Sequence, residues 1–205
     1  MRATSSLHFV WVATVWVVAM QVGSSRSSGV VAAEMAPFVP TRPWPFRDYN
    51  EQYRPQFHFS PAKNWMNDPN GLVYYGGEYH LFYQYNPEGN EWGHMSWGHA
   101  VSGDLLHWTS LGVAIAEHDG GMAYSGSAVV DWNNTAHFAP PAERNDTTPV
   151  VAMVLIYTCR RNSDDRQAQC LAYSLDRGRT FTPYSHNPVL DVNSTNFRDP
   201  HVFWH

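Results

Sequence analysis

Charge is scarce in this 205-residue chain: Asp, Glu, Lys and Arg make up 15% of it, with 13 basic against 18 acidic residues and no basic block. A grip on a phosphate backbone needs clustered Lys and Arg, so nucleic acid is excluded as the main partner. Cysteine is nearly absent, two residues in all, which excludes a small scaffold built on disulfides. The 11 histidines show no paired spacing of the His-Glu-x-x-His kind, so no metal centre is expected. No stretch carries the 3.6-residue apolar period of an amphipathic helix. Aromatic residues, in contrast, are abundant, 15% of the chain. Low charge with many aromatics describes a folded chain with a core of single-domain size, not a disordered one.

Arg2 precedes the apolar run Phe9–Met20, which gives way to Gln21 and a Ser/Gly stretch with small residues through Ala32 and Ala33. The run falls short of the ~20 residues of a membrane span. It reads as a secretory signal peptide, residues 1–33, which leaves no membrane association after cleavage and predicts a secreted, extracellular protein. Residues 34–55 form a Pro-rich lead-in (Pro37, Pro40, Pro43, Pro45), and 56–205 the folded region. Export fits three Asn-x-Thr glycosylation acceptors, at Asn133, Asn145 and Asn193, each beside turn-forming residues. Cys159 and Cys170 flank a polar loop between two strand-like runs, where either a disulfide or two buried thiols would fit.

From residue 72 the pattern becomes short strands separated by turns. Leu72–Tyr75 and Tyr79–Tyr85 read as a hairpin across Gly76-Gly77-Glu78, with further strands at Trp97–Val101, Val113–Ala116, Tyr124–Asp131, Val150–Thr158, Ala168–Ser174 and Val202–Trp204. The class is all-β and antiparallel. Ala100-Val-Ser-Gly-Asp104 leading to Trp108-Thr109 recurs as Ala172-Tyr-Ser-Leu-Asp176 leading to Phe181-Thr182, a weak repeat of the kind made by the four-stranded blades of a β-propeller. The eight expected strands make about two blades.

The densest segment is Asn64-Trp-Met-Asn-Asp-Pro-Asn-Gly-Leu72. As a bare string, Asp68-Pro69-Asn70-Gly71 reads as a type I turn: Asp first, Pro next for its fixed φ, Gly last. Trp65 and Asn67 are not explained by a turn. An aromatic platform, an amide and a carboxylate at one corner suit a sugar, whose ring faces stack and whose hydroxyls demand donors and acceptors. A second carboxylate, Asp199, stands between Arg198 and Pro200.

Trp65-Met-Asn-Asp-Pro-Asn-Gly71, Phe82-Tyr-Gln-Tyr-Asn-Pro87, Trp97-Gly-His-Ala-Val-Ser102, Tyr124-Ser-Gly-Ser127 and Phe197-Arg-Asp-Pro200 together resemble the ordered motif series of glycoside hydrolase family 32, most of all its secreted exo-inulinase and levanase branch. The resemblance implies the N-terminal blades of a five-bladed propeller. It implies hydrolysis of terminal β-fructosyl units of sucrose or fructans such as inulin and levan, with retention and without cofactor or metal. Carried over by position, Asp68 is the expected nucleophile. Asp199 is expected to hold fructose hydroxyls and favour the oxocarbenium-like transition state, with Arg198 keeping it ionised. Trp65, Asn67, Gln84, Trp92, Tyr124 and Ser125 match positions that shape the fructose pocket.

A retaining glycosidase also needs a proton donor. In this family it is a Glu beside a Cys, and neither Cys159 nor Cys170 is followed by Glu. The chain is therefore expected to be the front of a longer enzyme and inactive as written. A non-catalytic fructoside-binding propeller and a fructosyltransferase of the same family stay open as alternatives. A sialidase-like reading, raised by the Ser-x-Asp-x-Gly-x-Thr-Phe spacing of 174–181, lacks the arginine cluster that a sialic acid carboxylate would need.

Overall fold

The structure is a computed structural model that describes residues 51–118, 120–141 and 149–205; the expected signal peptide, most of the Pro-rich lead-in and Asn145 lie outside the described residues. Two antiparallel sheets follow one another along the chain. The first is the meander β1 (Met66–Tyr75), β2 (Glu78–Tyr85), β3 (Ser96–Ser102) and β4 (Trp108–Ile115). The second is β5 (Gly121–Asp131), β6 (Ala152–Arg161) and β7 (Gln167–Ser174), with its outer position shared by β8 (Thr182–Pro183) and β9 (Leu190–Ser194), both paired to β7. These are the four-stranded blades of the expected propeller.

The two-residue period of a strand decides what each blade buries. Along β2, His80, Phe82 and Gln84 face one way and Leu81 and Tyr83 the other, and all five are buried. Phe82 joins Trp97 of β3 and Tyr75 of β1 against Ala123, Val130, Met153, Leu155 and Tyr157 of the second blade. Leu81 and Tyr83 pack with Ala100 and Trp108, and Phe59 of the segment before β1 covers them. Sheets buried on both faces lose the apolar–polar alternation of a one-sided sheet, which is why β3 is buried at all seven positions. His80 and His99 sit in this interface with Nδ1 and Nε2 3.0 Å apart. Burial holds both neutral, at about 4 for His80 and about 2 for His99.

The repeat read from the sequence falls at the same place in both blades, the turn from third strand to outer strand. In the first, Ser102 Oγ accepts from Leu105 N at 2.8 Å and Asp104 Oδ1 accepts from His107 N at 2.7 Å. In the second, Ser174 Oγ accepts from Gly178 N at 2.8 Å and Asp176 Oδ1 from Thr180 N at 2.9 Å. Each turn delivers an aromatic to the core: Trp108 beside Phe59, and Phe181 edge-on to Phe82 with ring centres 5.5 Å apart.

Three expectations are corrected. Asp68-Pro69-Asn70-Gly71 is not a turn; it lies within β1, between register shifts at Met66/Pro69 and Asn70/Val73. The residues that favour a turn are accommodated as bulges on a strand at the sheet's end, where Pro69 forfeits no interior ladder bond. β4 begins at Trp108, five residues before the expected Val113. Val202–Trp204 is not in a strand: its partners are the Ser127 hydroxyl, which accepts from Val202 N, and the Val130 carbonyl, which accepts from the Trp204 indole. β8 and β9 escape sequence reading because both are short and almost wholly exposed.

Cys159 and Cys170 are joined in a disulfide between β6 and β7, with Cα atoms 5.8 Å apart. Closing an 11-residue separation removes chain entropy from the unfolded state worth roughly 3 kcal/mol. We expect the Cys159→Ser/Cys170→Ser double variant to lose about that much in a denaturant titration; an unchanged midpoint would contradict it. Gly126 is equally constrained, since a Cβ built on it would stand 2.0 Å from the Ile156 carbonyl oxygen. Gly126→Ala should destabilise by about 1–3 kcal/mol or more, read as a fall in thermal midpoint, because backbone, not a mobile side chain, blocks the space.

Candidate active site

Register brings the sequence motifs to one end of both blades. Met66, Tyr85 and Ser96 form one cross-strand row in the first blade, and Tyr124, Thr158 and Gln169 form one in the second. The irregularities aim the side chains. The register shift between Met66 and Pro69 throws out Asn67 and Asp68, and the shift between Tyr124 and Gly126 leaves Ser125 as the extra residue of a bulge. The two meet across the blade boundary: Ser125 Oγ donates to Asp68 Oδ2 at 2.9 Å.

The other expected residues surround this contact. The Trp65 indole donates to Asn67 Oδ1 at 2.8 Å, which fixes both side chains beside Asp68. Trp65 is itself tied by main-chain bonds to Gly89 and Asn86 of the β2–β3 loop. That loop carries Trp92, an exposed ring whose edge meets Tyr124, centres 6.2 Å apart. His94 holds the loop's far end: its Nδ1 lies 2.7 Å from Glu117 Oε2, and that hydrogen bond, with Glu88 and Glu117 as neighbouring charges, raises its pKa. Gln84 stands behind the others, buried, and donates to the Ala123 carbonyl at 3.1 Å. Its first task is to tie the blades together under the pocket. The Trp97 indole does the same through the Tyr124 carbonyl at 2.9 Å.

Asp199 reaches the site from the segment after β9, with φ +62. Its pKa is raised: partial enclosure by the protein is the largest cause, the Arg198 guanidinium opposes it, and the charge of Asp68 adds to the rise. Arg198 therefore pulls in the expected direction but does not win. Its Nε stays 3.8 Å from Asp199 Oδ2, because its Nη1 is turned to Gln167 Oε1 at 3.3 Å. Asp68 and Asp199 are thus two carboxylates close enough to repel, held on different blades at one mouth.

Sequence reasoning missed Ser127, Thr158, Gln167 and Gln169, all buried and all bonded to the segment that carries Asp199. The signal was there: polar residues at inward positions of apolar strands, and Gln167 and Gln169 two apart on one face of β7. Of the expected glycosylation acceptors, Asn133 and Asn193 are exposed.

Packed four-stranded blades with a carboxylate pair at one end define the propeller glycoside hydrolases as the class. The family model described as glycosyl hydrolases family 32 N-terminal domain matches residues 58–205. The chain is 54% identical over 158 residues to the levanase of Bacillus subtilis (strain 168), covering 77% of this chain and 22% of that protein. It is 48% identical over 179 residues to the extracellular exo-inulinase of Aspergillus awamori, covering 77% and 33%. Among solved structures, the exo-inulinase of Aspergillus awamori superposes with a TM-score of 0.67 at 45% identity, over 77% of this chain and 34% of that one. The fructofuranosidase of Schwanniomyces occidentalis complexed with fructose gives 0.67 at 48%, over 77% and 30%. This chain belongs to glycoside hydrolase family 32. It spans between about a fifth and a third of the length of these relatives.

The electrostatics of Asp199 carry a consequence for stability. A carboxyl whose folded pKa is raised favours the fold below its unfolded pKa and loses that contribution as pH rises through the folded value. Asp199→Asn removes the repelled charge and tolerates positive φ. We expect its thermal midpoint at pH 7 to match or exceed that of the parent, and the difference to shrink as pH falls through the carboxylate range; a lower midpoint at pH 7 would contradict it.

Proposed function

We propose that these blades carry the nucleophile and the sugar-holding carboxylate of a secreted β-fructofuranosidase that releases terminal fructosyl units from sucrose or fructans with retention. The observation that carries the reading is Asp68: it is turned out of β1 by a bulge, oriented by Ser125 from the next blade, and accompanied by the second carboxylate Asp199. A nucleophile needs a fixed direction and an oxygen left free for attack, and Ser125 occupies only Oδ2.

Attack by Asp68 on the anomeric carbon breaks the glycosidic C–O bond, the departing oxygen taking a proton from the general acid, and gives a fructosyl ester. Water then enters from the face the leaving group vacated, opposite Asp68, passes a proton back to that acid's conjugate base and frees fructose and the Asp68 carboxylate with net retention. Asp199 takes hydroxyls of the fructosyl ring, and its negative charge stabilises the positive charge that develops at the anomeric carbon. Trp65, Trp92 and Tyr124 supply the apolar faces, and Asn67 the amide beside the nucleophile. Gln84 fixes the floor. A proton donor is needed as well, and since the chain spans about a fifth to a third of its relatives' length, the activity is proposed for the whole protein. Residues 1–33 act as the export signal, 34–55 as the lead-in and 56–205 as propeller, and Asn133, Asn145 and Asn193 carry N-glycans on the secreted product.

Asp68→Asn in the full-length protein should lower turnover of sucrose and inulin by a factor on the order of 10⁴ or more, while fructose still binds in a calorimetric titration. Retained turnover would remove Asp68 from the role.

A further inference from the structure

The segment that carries Asp199 has no main-chain ladder. Among the described residues, the backbone polar groups of 197–202 that are bonded go to side chains of the second blade. Phe197 N donates to Gln167 Oε1 at 3.2 Å, and Gln169 Nε2 donates to the Phe197 carbonyl at 2.9 Å. Asp199 N donates to Thr158 Oγ1 at 2.9 Å, and that hydroxyl in turn donates a hydrogen bond to Gln169 Oε1 at 3.2 Å. Ser127 Oγ donates to the Pro200 carbonyl at 3.0 Å and accepts from Val202 N at 2.9 Å.

We infer that Ser127, Thr158, Gln167 and Gln169 are positioning residues, a polar row across β5, β6 and β7 that sets the pose of Asp199 and holds Arg198 off it. The inference rests on the reading of Asp199 as the carboxylate that holds the sugar. Three observations carry it. The four side chains are between 0% and 8% exposed, a setting where a polar group is retained only with its bonds made, and here they are made to one segment. Asp199 is held at φ +62, a left-handed conformation that a non-glycine residue keeps when its surroundings impose it, and its own N–H is bound by Thr158. Gln167 draws Arg198 Nη1 to itself at 3.3 Å, leaving the guanidinium Nε 3.8 Å from Asp199 Oδ2, beyond hydrogen-bond distance. Neither Asp199 oxygen takes a hydrogen bond from the described residues, so both stay free for two neighbouring hydroxyls of a sugar ring. A direct fork from Arg198 would occupy them instead.

Thr158 is the sharpest point of attack because Val matches its shape without the hydroxyl, while Ser keeps the hydroxyl. In the full-length protein, Thr158→Val should lower kcat/KM on sucrose about 10–100-fold, the scale of misplacing a reacting group by about an ångström. Thr158→Ser should stay within about threefold of the parent. Hydrogen exchange at the Asp199 amide should quicken in the Val variant and not in the Ser variant. Equal losses in both variants, or a Val variant within threefold of the parent, would overturn the proposal. Should Thr158→Val fail to fold, Ser127→Ala replaces it: faster exchange at Val202 with a kcat/KM loss supports the row, and no change in either overturns it. If the parent itself releases no fructose, the reading of the site fails, and amide exchange alone then decides whether the row positions Asp199.

Discussion

Everything in this site depends on two blades being locked against each other, because Asp68 stands on β1 of the first blade and Asp199 on a segment bonded to the second. The lock is polar at the end where the site lies and apolar below it. Gln84 to Ala123, Ala123 to Met95 and the Trp97 indole to Tyr124 are hydrogen bonds that cross the boundary within a few residues of Asp68 and Ser125. Beneath them Phe82 and Trp97 pack against Leu155 and Tyr157. At another point on the boundary, the buried Glu78 accepts hydrogen bonds at both carboxylate oxygens from Arg179 of the second Ser/Asp turn, at 2.8 and 2.6 Å. An ion pair with one partner exposed adds little net stability, but its direction fixes which turn meets which strand. The bulge at Ser125 has meaning only in that register, since its hydroxyl must arrive at Asp68 from the neighbouring sheet.

Within that frame the site spends backbone irregularity on aim. Asn67, Asp68 and Ser125 project because their strands slip register, and Asp199 projects because a left-handed residue turns the chain. Around Asp199 the departure leaves main-chain groups without a ladder, and buried polar side chains of the second blade meet that need. The raised pKa of Asp199 is the electrostatic counterpart: a carboxylate partly enclosed, next to another negative charge, and only loosely paired with Arg198. It is an arrangement poor for folding and suited to receiving a cationic transition state.

Much of this was legible in the sequence, and the parts that were not share a cause. The inner strands of both blades, the Ser/Asp turns with their aromatics and the hairpin at Gly76-Gly77-Glu78 follow from local pattern, which is read within a window of a few residues, whereas the short, exposed β8 and β9 do not. The Asp68–Gly71 stretch misled because the residues that make a turn are the residues that make a bulge, and only the partner strand β2 decides between them. Val202–Trp204 misled because an apolar run says nothing about whether a ladder is available. Asp68 and Asp199 were singled out by their motifs. The residues that hold Asp199 were not, since Thr158, Gln167 and Gln169 declare their role only once β6 and β7 are placed under it. The disulfide was left open for the same reason: its formation depends on Tyr157 pairing with Cys170 and Cys159 with Ala168.

The central claim is that Asp68 forms a bond to the fructosyl carbon, and it is tested most directly by catching that bond. Fructosyl fluoride loses its leaving group without needing a proton, so attack by Asp68 can proceed whatever residue supplies the acid. The full-length protein mixed with it, quenched in acid within the first turnover and digested, should yield the peptide containing Asp68 heavier by one fructosyl unit and fragmenting at that residue. Steady release of fructose with the adduct on another residue, or with no adduct at any quench time, would contradict the account.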